Sequence, residues 1–97
     1  MLLLTLPDIK RHLRVETDQE DELLTEYGEA AEQLVLDYLN REVSDLVDEY
    51  RGIPRPIKQA ALILVGDFYA YREAGRPGTV SAAIEGVGYL LIRYKKL

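Results

Sequence analysis

The side chains with the widest chemical reach are few. His12 is the one histidine in 97 residues, and there is no cysteine. A serine or threonine nucleophile would have a single candidate base, and no motif of a nucleophile–histidine enzyme surrounds it. At the end of a short helix, His12 reads as a capping or surface group close to the negative pole of the helix dipole. Asp18, Glu20, Asp21 and Glu22 crowd together as calcium ligands do. The glycine of a calcium loop and its closing glutamate are missing, so the cluster reads as a solvated helix start. Gly86-Val87-Gly88 has neither the preceding strand nor the lysine of a phosphate-cradling loop. The expectation is a chain with no catalytic residue, no metal ligand and no cofactor.

With no site to position, the elements themselves carry the information. Thr5-Leu6-Pro7-Asp8 predicts a helix start, because Thr5 can cap, Asp8 lies three residues on and proline is tolerated in the first turn. Leu4 and Ile9 have the spacing of a hydrophobic staple across that start, and the first helix is predicted to be short, about 6 to 13. Thr17-Asp18-Gln19-Glu20 repeats the capping pattern. Leu23, Leu24, Tyr27, Ala30, Ala31, Leu34, Val35, Tyr38 and Leu39 then form one stripe at spacings of three and four. Glu26, Glu29, Glu32 and Asp37 fall between them as a solvated face. Gly28 inside this pattern suggests a close backbone approach.

Val43 to Gly52 reads as a polar connector. Ile53-Pro54-Arg55-Pro56 is an extended lead-in to a further helix, which Gly75-Arg76-Pro77-Gly78 ends. That helix is apolar nearly all round, so it belongs at the centre of the fold or partly against a neighbour. Residues 79–88 read as a mobile loop and Gly86 to Tyr94 as a short helix, with a strand the alternative at this length. The resulting expectation is an all-α single domain over residues 1–97. It is a small helical bundle with a short first helix, two long helices (about 18–41 and 54–74) and a flexible C-terminal segment. The helical core spans 4–75, followed by a loop and tail over 76–97.

Charge is distributed unevenly. Residues 1–50 carry fourteen acids and four bases, a balance of −10, and residues 51–97 carry three acids and eight bases, a balance of +5. A net charge of −5 argues against a general nucleic-acid binder, which needs clustered Lys and Arg for phosphate. An acidic half and a basic half can neutralise each other within one fold or pair head to tail between copies. No apolar run is long enough for a membrane span, so no membrane partner is expected. The absence of cysteine fits manufacture in a reducing cytoplasm.

The opening Thr5-Leu6-Pro7-Asp8-Ile9-Lys10-Arg11-His12-Leu13-Arg14 resembles that of phage head-to-tail connector proteins, the adaptor family of long-tailed phages and prophages. So do Asp21-Glu22-Leu23-Leu24, Ala30-Ala31, Val35 with Asp37-Tyr38-Leu39, and Ile53-Pro54 with Pro56-Ile57-Lys58 and Ala60. The series continues through Leu64-Val65-Gly66-Asp67-Phe68-Tyr69-Ala70-Tyr71-Arg72-Glu73. The chain departs from the family at Asp67, at Ala70-Tyr71 and at Arg93 before the last tyrosine. The resemblance implies a structural, non-enzymatic virion protein at the head–tail junction, made in the bacterial host cytoplasm. It would form a homo-oligomeric ring, dodecameric to match the portal, dock under the portal protein and extend the DNA channel. It would present a platform to the next head-completion or tail protein, with DNA passing through unbound.

Two contacts are expected on this basis. Glu26, Glu29 and Glu32 would face Arg55, Lys58 and Arg72 of a neighbouring subunit. The apolar and basic tail formed by Tyr89, Leu90, Leu91, Arg93, Tyr94, Lys95 and Lys96 would dock on the portal, the alternative being a tail packed on its own domain. The rival from another class is a small helical DNA-binding or antitoxin-like regulator. It would need a basic recognition helix, whereas the long second helix is acidic and the third apolar. Stopper and tail-completion proteins are built largely of strands, so helical content separates them from this chain.

Overall fold

A computed structural model describes residues 1–71 and 84–96, with the backbone alone at Tyr71. The elements in order are α1 (Leu6–Leu13), α2 (Asp21–Leu39), α3 (Val43–Tyr50), α4 (Arg55–Tyr71), α5 (Gly88–Leu91) and a 3-10 turn (Ile92–Tyr94). There is no strand among the described residues, and the all-α expectation holds. The predicted turn at 75–78, residues 79–83 of the predicted loop and Arg72 lie outside the described residues, and residues 84–86 of that loop are helical, because Val87 just beyond them is anchored in the core.

α1 starts as its sequence dictates. The Thr5 hydroxyl accepts from the Asp8 N–H at 3.2 Å, and the Asp8 carboxylate accepts from the Thr5 N–H at 3.1 Å. This reciprocal pair satisfies two donors that a helix start leaves open. Leu4 and Ile9, on either side of the cap, are both buried. α1 ends with Arg14 in the left-handed conformation, φ 59°.

α2 begins later than predicted, at Asp21 rather than near residue 18, and Glu20 at its N-cap position makes no side-chain capping bond. The Thr17–Glu20 capping pattern is not used: Glu20 accepts from the Tyr69 hydroxyl of α4 at 2.7 Å, while Lys10 of α1 donates to Asp18 at 2.7 Å and to Asp21 at 2.8 Å. Of the predicted stripe, Leu24, Ala31, Val35 and Leu39 are buried together with Gly28; Leu23, Tyr27, Leu34 and Tyr38 are half-buried, and Ala30 is exposed, since it lies on the far flank of the helix from the core. Gly28 does mark a close approach, since a Cβ there would lie 2.7 Å from the Ile9 Cδ1 atom and closer still to the Met1 side chain.

The predicted connector 43–52 is mostly helix. In α3, Val43, Leu46, Val47 and Tyr50 recur at three and four residues, and Leu46 is fully buried. Eight residues do not sustain a helix alone. Here Arg41 bridges to Asp45 at 2.9 Å and also to Glu49, one turn further along the same face. α3 stops at Arg51, again left-handed with φ 59°, followed by Gly52 at φ 149°.

α4 is the central element. Ile57, Ala60, Ala61, Leu64 and Val65 are buried, while Leu62, Ile63, Phe68 and Tyr69 are half-buried and pack on the same core. It lies chiefly against α2, with α1 and α5 on its other sides. Phe68 meets Tyr27 of α2 with ring centroids 5.9 Å apart.

The C-terminal segment is not the free tail expected, at least over residues 84–96. Val87 and Leu91 are inserted in the core. The Lys96 N–H donates to the Leu39 carbonyl at 2.8 Å, and Arg41 donates to the Tyr94 carbonyl at 3.3 Å. Tyr94 meets Tyr50 edge to face at 5.3 Å, and the Lys95 ammonium sits 4.7 Å from the centre of the Tyr38 ring. The end of α2 had carbonyls without helical partners. The segment supplies a donor to one of them and covers apolar surface that α2 and α4 alone leave open.

Candidate functional site

Three regions of the surface stand out. The first is the residue 1–5 arm. Glu32 is 6 % exposed and its carboxylate accepts from three successive main-chain N–H groups: Leu2 at 2.8 Å, Leu3 at 2.7 Å and Leu4 at 2.9 Å. The arm thereby lies along α2 with Leu3 and Leu4 in the core and Leu2 outside, 72 % exposed. Glu32 was expected on the solvated face and paired with a neighbour, and that reading is corrected. The residue sits four after Gly28 and three before Val35, within the buried stripe rather than beside it. A carboxylate in such a place needs hydrogen-bond donors, and the arm's backbone provides them.

The second region is the flank of α2 and α3 beside that arm. Glu26 and Glu29 are exposed on α2. Toward the C-terminal end of α2 a shallow groove is lined by the apolar Leu2, Leu36, Val43 and Val47 and by the charged Asp37, Arg41, Glu42 and Asp48. Val47 is 44 % exposed. Nothing in the sequence pattern singled out this groove, because it joins an arm, the end of one helix and a helix read as a connector.

The third region is the outer surface of the C-terminal segment. Of the residues expected to form a docking tail, Leu91 points inward and Leu90 and Tyr94 are half-buried. Tyr89 is 74 % exposed, and Arg93, Lys95 and Lys96 are exposed with it. Ile92, not among the expected residues, is 59 % exposed. Arg55 and Lys58 stand exposed at the start of α4, on a different part of the surface, and Lys58 is near enough to Asp8 to help lower its pKa.

Arg41 ties the second and third regions together. It is the one basic side chain between residues 15 and 50, a distinction that could have marked it in the sequence. Its side chain is 7 % exposed, lies 5.5 Å from the centre of the Tyr50 ring and joins α3 to the C-terminal segment. The Glu49 and Asp45 carboxylates push its pKa up, so it is a permanent charge.

These contacts set a pH response. The Arg41 guanidinium holds the Asp45 carboxyl below its usual 3.8, and the Lys10 ammonium does the same for Asp18. For Asp8 the main cause is the hydrogen bond with Thr5. A carboxyl whose pKa is lower in the folded state stabilises the fold above its unfolded value and loses that contribution as pH falls through the folded one. The thermal midpoint should therefore drop as pH is lowered from about 5 to about 3, and Asp45→Asn should flatten the drop. A midpoint that is level across this interval would show that the three carboxylates contribute nothing.

Among the described residues no cluster of three or more His, Asp or Glu side chains is placed to hold a metal ion. No helix among them is long and apolar enough to cross a membrane. Comparison with curated proteins and with solved structures finds no match. Comparison with protein families does: the model of the phage gp6-like head-tail connector protein matches residues 3–89. The match runs from Leu3 in the buried arm through α1, α2, α3 and α4 and ends at the exposed Tyr89, inside α5, and the family is structural rather than enzymatic. The chain belongs to the phage gp6-like head-tail connector proteins, which gives it a structural role in the virion at the junction of head and tail.

Proposed function

We propose that the chain is the repeating subunit of a closed ring that docks beneath the portal of the capsid, extends the DNA channel and joins it to the next head-completion or tail protein. The family match over residues 3–89 carries this reading. Two properties of the chain support it. A net charge of −5 disfavours phosphate contacts, as suits a channel through which DNA must move without sticking. The uneven charge leaves an acidic flank, Glu26 and Glu29 with the acids of the groove, and basic surfaces elsewhere, as a head-to-tail contact between identical subunits requires.

Native mass across a concentration series, with electron micrographs of any large species, tests the reading. Rings with a central hole are expected, either from the protein alone or on addition of portal particles. A compact dimer that retards DNA at about 0.15 M salt would overturn it in favour of a nucleic-acid-binding regulator.

A further inference from the structure

The large apolar side chains left exposed among the described residues gather in two patches. Leu2 and Val47 line the α2–α3 groove, with Met1 next to Leu2 in the arm, and Tyr89 and Ile92 lie on the C-terminal segment, where Tyr50 meets Tyr94 edge to face. Exposed apolar groups concentrated in this way mark contact surfaces.

The two patches are complementary. The groove lining combines apolar side chains with three acids, Asp37, Glu42 and Asp48, and one base, Arg41, whose charge is already paired with Asp45 and Glu49. On the segment, Tyr89, Ile92 and Arg93 follow at three and four residues and form one ridge, an aromatic and an aliphatic group beside a cation. Residues 87–97 contain three bases and no acid. Arg41 lines the groove and donates to the Tyr94 carbonyl, so the two patches adjoin. Tyr89, Ile92 and Arg93 are nevertheless exposed and are not among the residues that line the groove of their own subunit, so the ridge is open to the groove of another copy.

We infer that the Tyr89–Ile92–Arg93 ridge of one subunit seats in the Leu2–Leu36–Val43–Val47 groove of the next copy. This rests on the ring reading and names the contact that closes the ring. It assigns the basic half of the contact to Arg93 rather than to Arg55 and Lys58. Tyrosine and arginine at the centre of an interface are the residue types that most often carry its affinity, and the acids around the groove fix the register. Because ridge and groove are different surfaces, every subunit can use both, and the chain of contacts closes only by going round a ring.

Native mass of wild type, Val47→Asp, Ile92→Asp and an equimolar mixture of the two variants tests this, with circular dichroism confirming wild-type helix content. Val47→Ser and Ile92→Ser replace any aspartate variant that loses helix. Each variant alone should need at least a tenfold higher concentration to assemble. The mixture should give a one-to-one dimer and nothing larger, since only one intact ridge and one intact groove remain to meet. Variants that assemble at wild-type concentrations overturn the contact and leave the ring reading standing. A wild type that stays monomeric alone overturns it too, while ring formation on portal particles would still uphold the functional reading. Variants that assemble normally but fail to bind portal particles overturn it by assigning these surfaces to the portal.

Discussion

Glu32→Ala should lower the stability of the subunit by about 3–5 kcal/mol, the range found when one partner of a buried charged arrangement is removed. Three main-chain donors lose one carboxylate, and two of them, at Leu3 and Leu4, belong to buried residues. Hydrogen bonds to a charged acceptor are worth about 1.5–3 kcal/mol each when the donor cannot turn to water. The arm can respond by leaving the core. It then forfeits the burial of Leu3 and Leu4, at about 1.5–3 kcal/mol per side chain, so either route leads to a similar loss. Glu32→Gln separates charge from shape. One of its two terminal atoms is a donor facing donors, so it should recover only part of the loss. Urea unfolding measures both variants. A change below about 1 kcal/mol for Glu32→Ala would mean that the arm is not held by this carboxylate. The effect reaches function through Leu2, which the same bonds present at the groove.

Leu91→Ala should cost about 2–4 kcal/mol, as deletion of a fully buried leucine does when the site cannot collapse. Tyr89→Ala, two residues away and mostly exposed, should change stability by no more than about 0.5 kcal/mol. The contrast separates two roles of one short segment: its inner face completes the core, and its outer face is available to a partner. It also decides whether residues 87–96 belong to the cooperative unit. They are held by the Arg41–Tyr94 and Lys96–Leu39 bonds as well as by apolar contact. If Leu91→Ala left the unfolding midpoint unchanged, the segment would be an independent appendage.

Much of the fold is legible in local pattern. The Thr5–Asp8 capping box, the stripe from Leu24 to Leu39 and the proline-led start of α4 each involve residues within a turn or two of one another, and each appears in the structure. Local pattern misled where a distant partner outbid a near one. Thr17 to Glu20 has the capping pattern, but Tyr69 of α4 donates to the Glu20 carboxylate, and α2 starts at Asp21. Val43 to Tyr50 is too short and too polar to announce a helix, and its stability comes from Leu46 in the core and Arg41 across its face.

The assembly surfaces divide in the same way. By itself, the sequence determined the helical class, the imbalance of charge and, through its ordered motifs, the connector family. All of these depend on residue type and short-range spacing, which a chain carries before it folds. Which acidic groups remain outside was decided only by tertiary structure. Glu26 and Glu29 are exposed while Glu32, on the same helix and of the same chemistry, is buried beneath the backbone of residues 2–4. Likewise Leu91 and Ile92 are neighbours of like hydrophobicity, and one is in the core while the other is on the ridge. Burial is a property of what packs against a residue, and here the packing elements lie some thirty to fifty positions away along the chain.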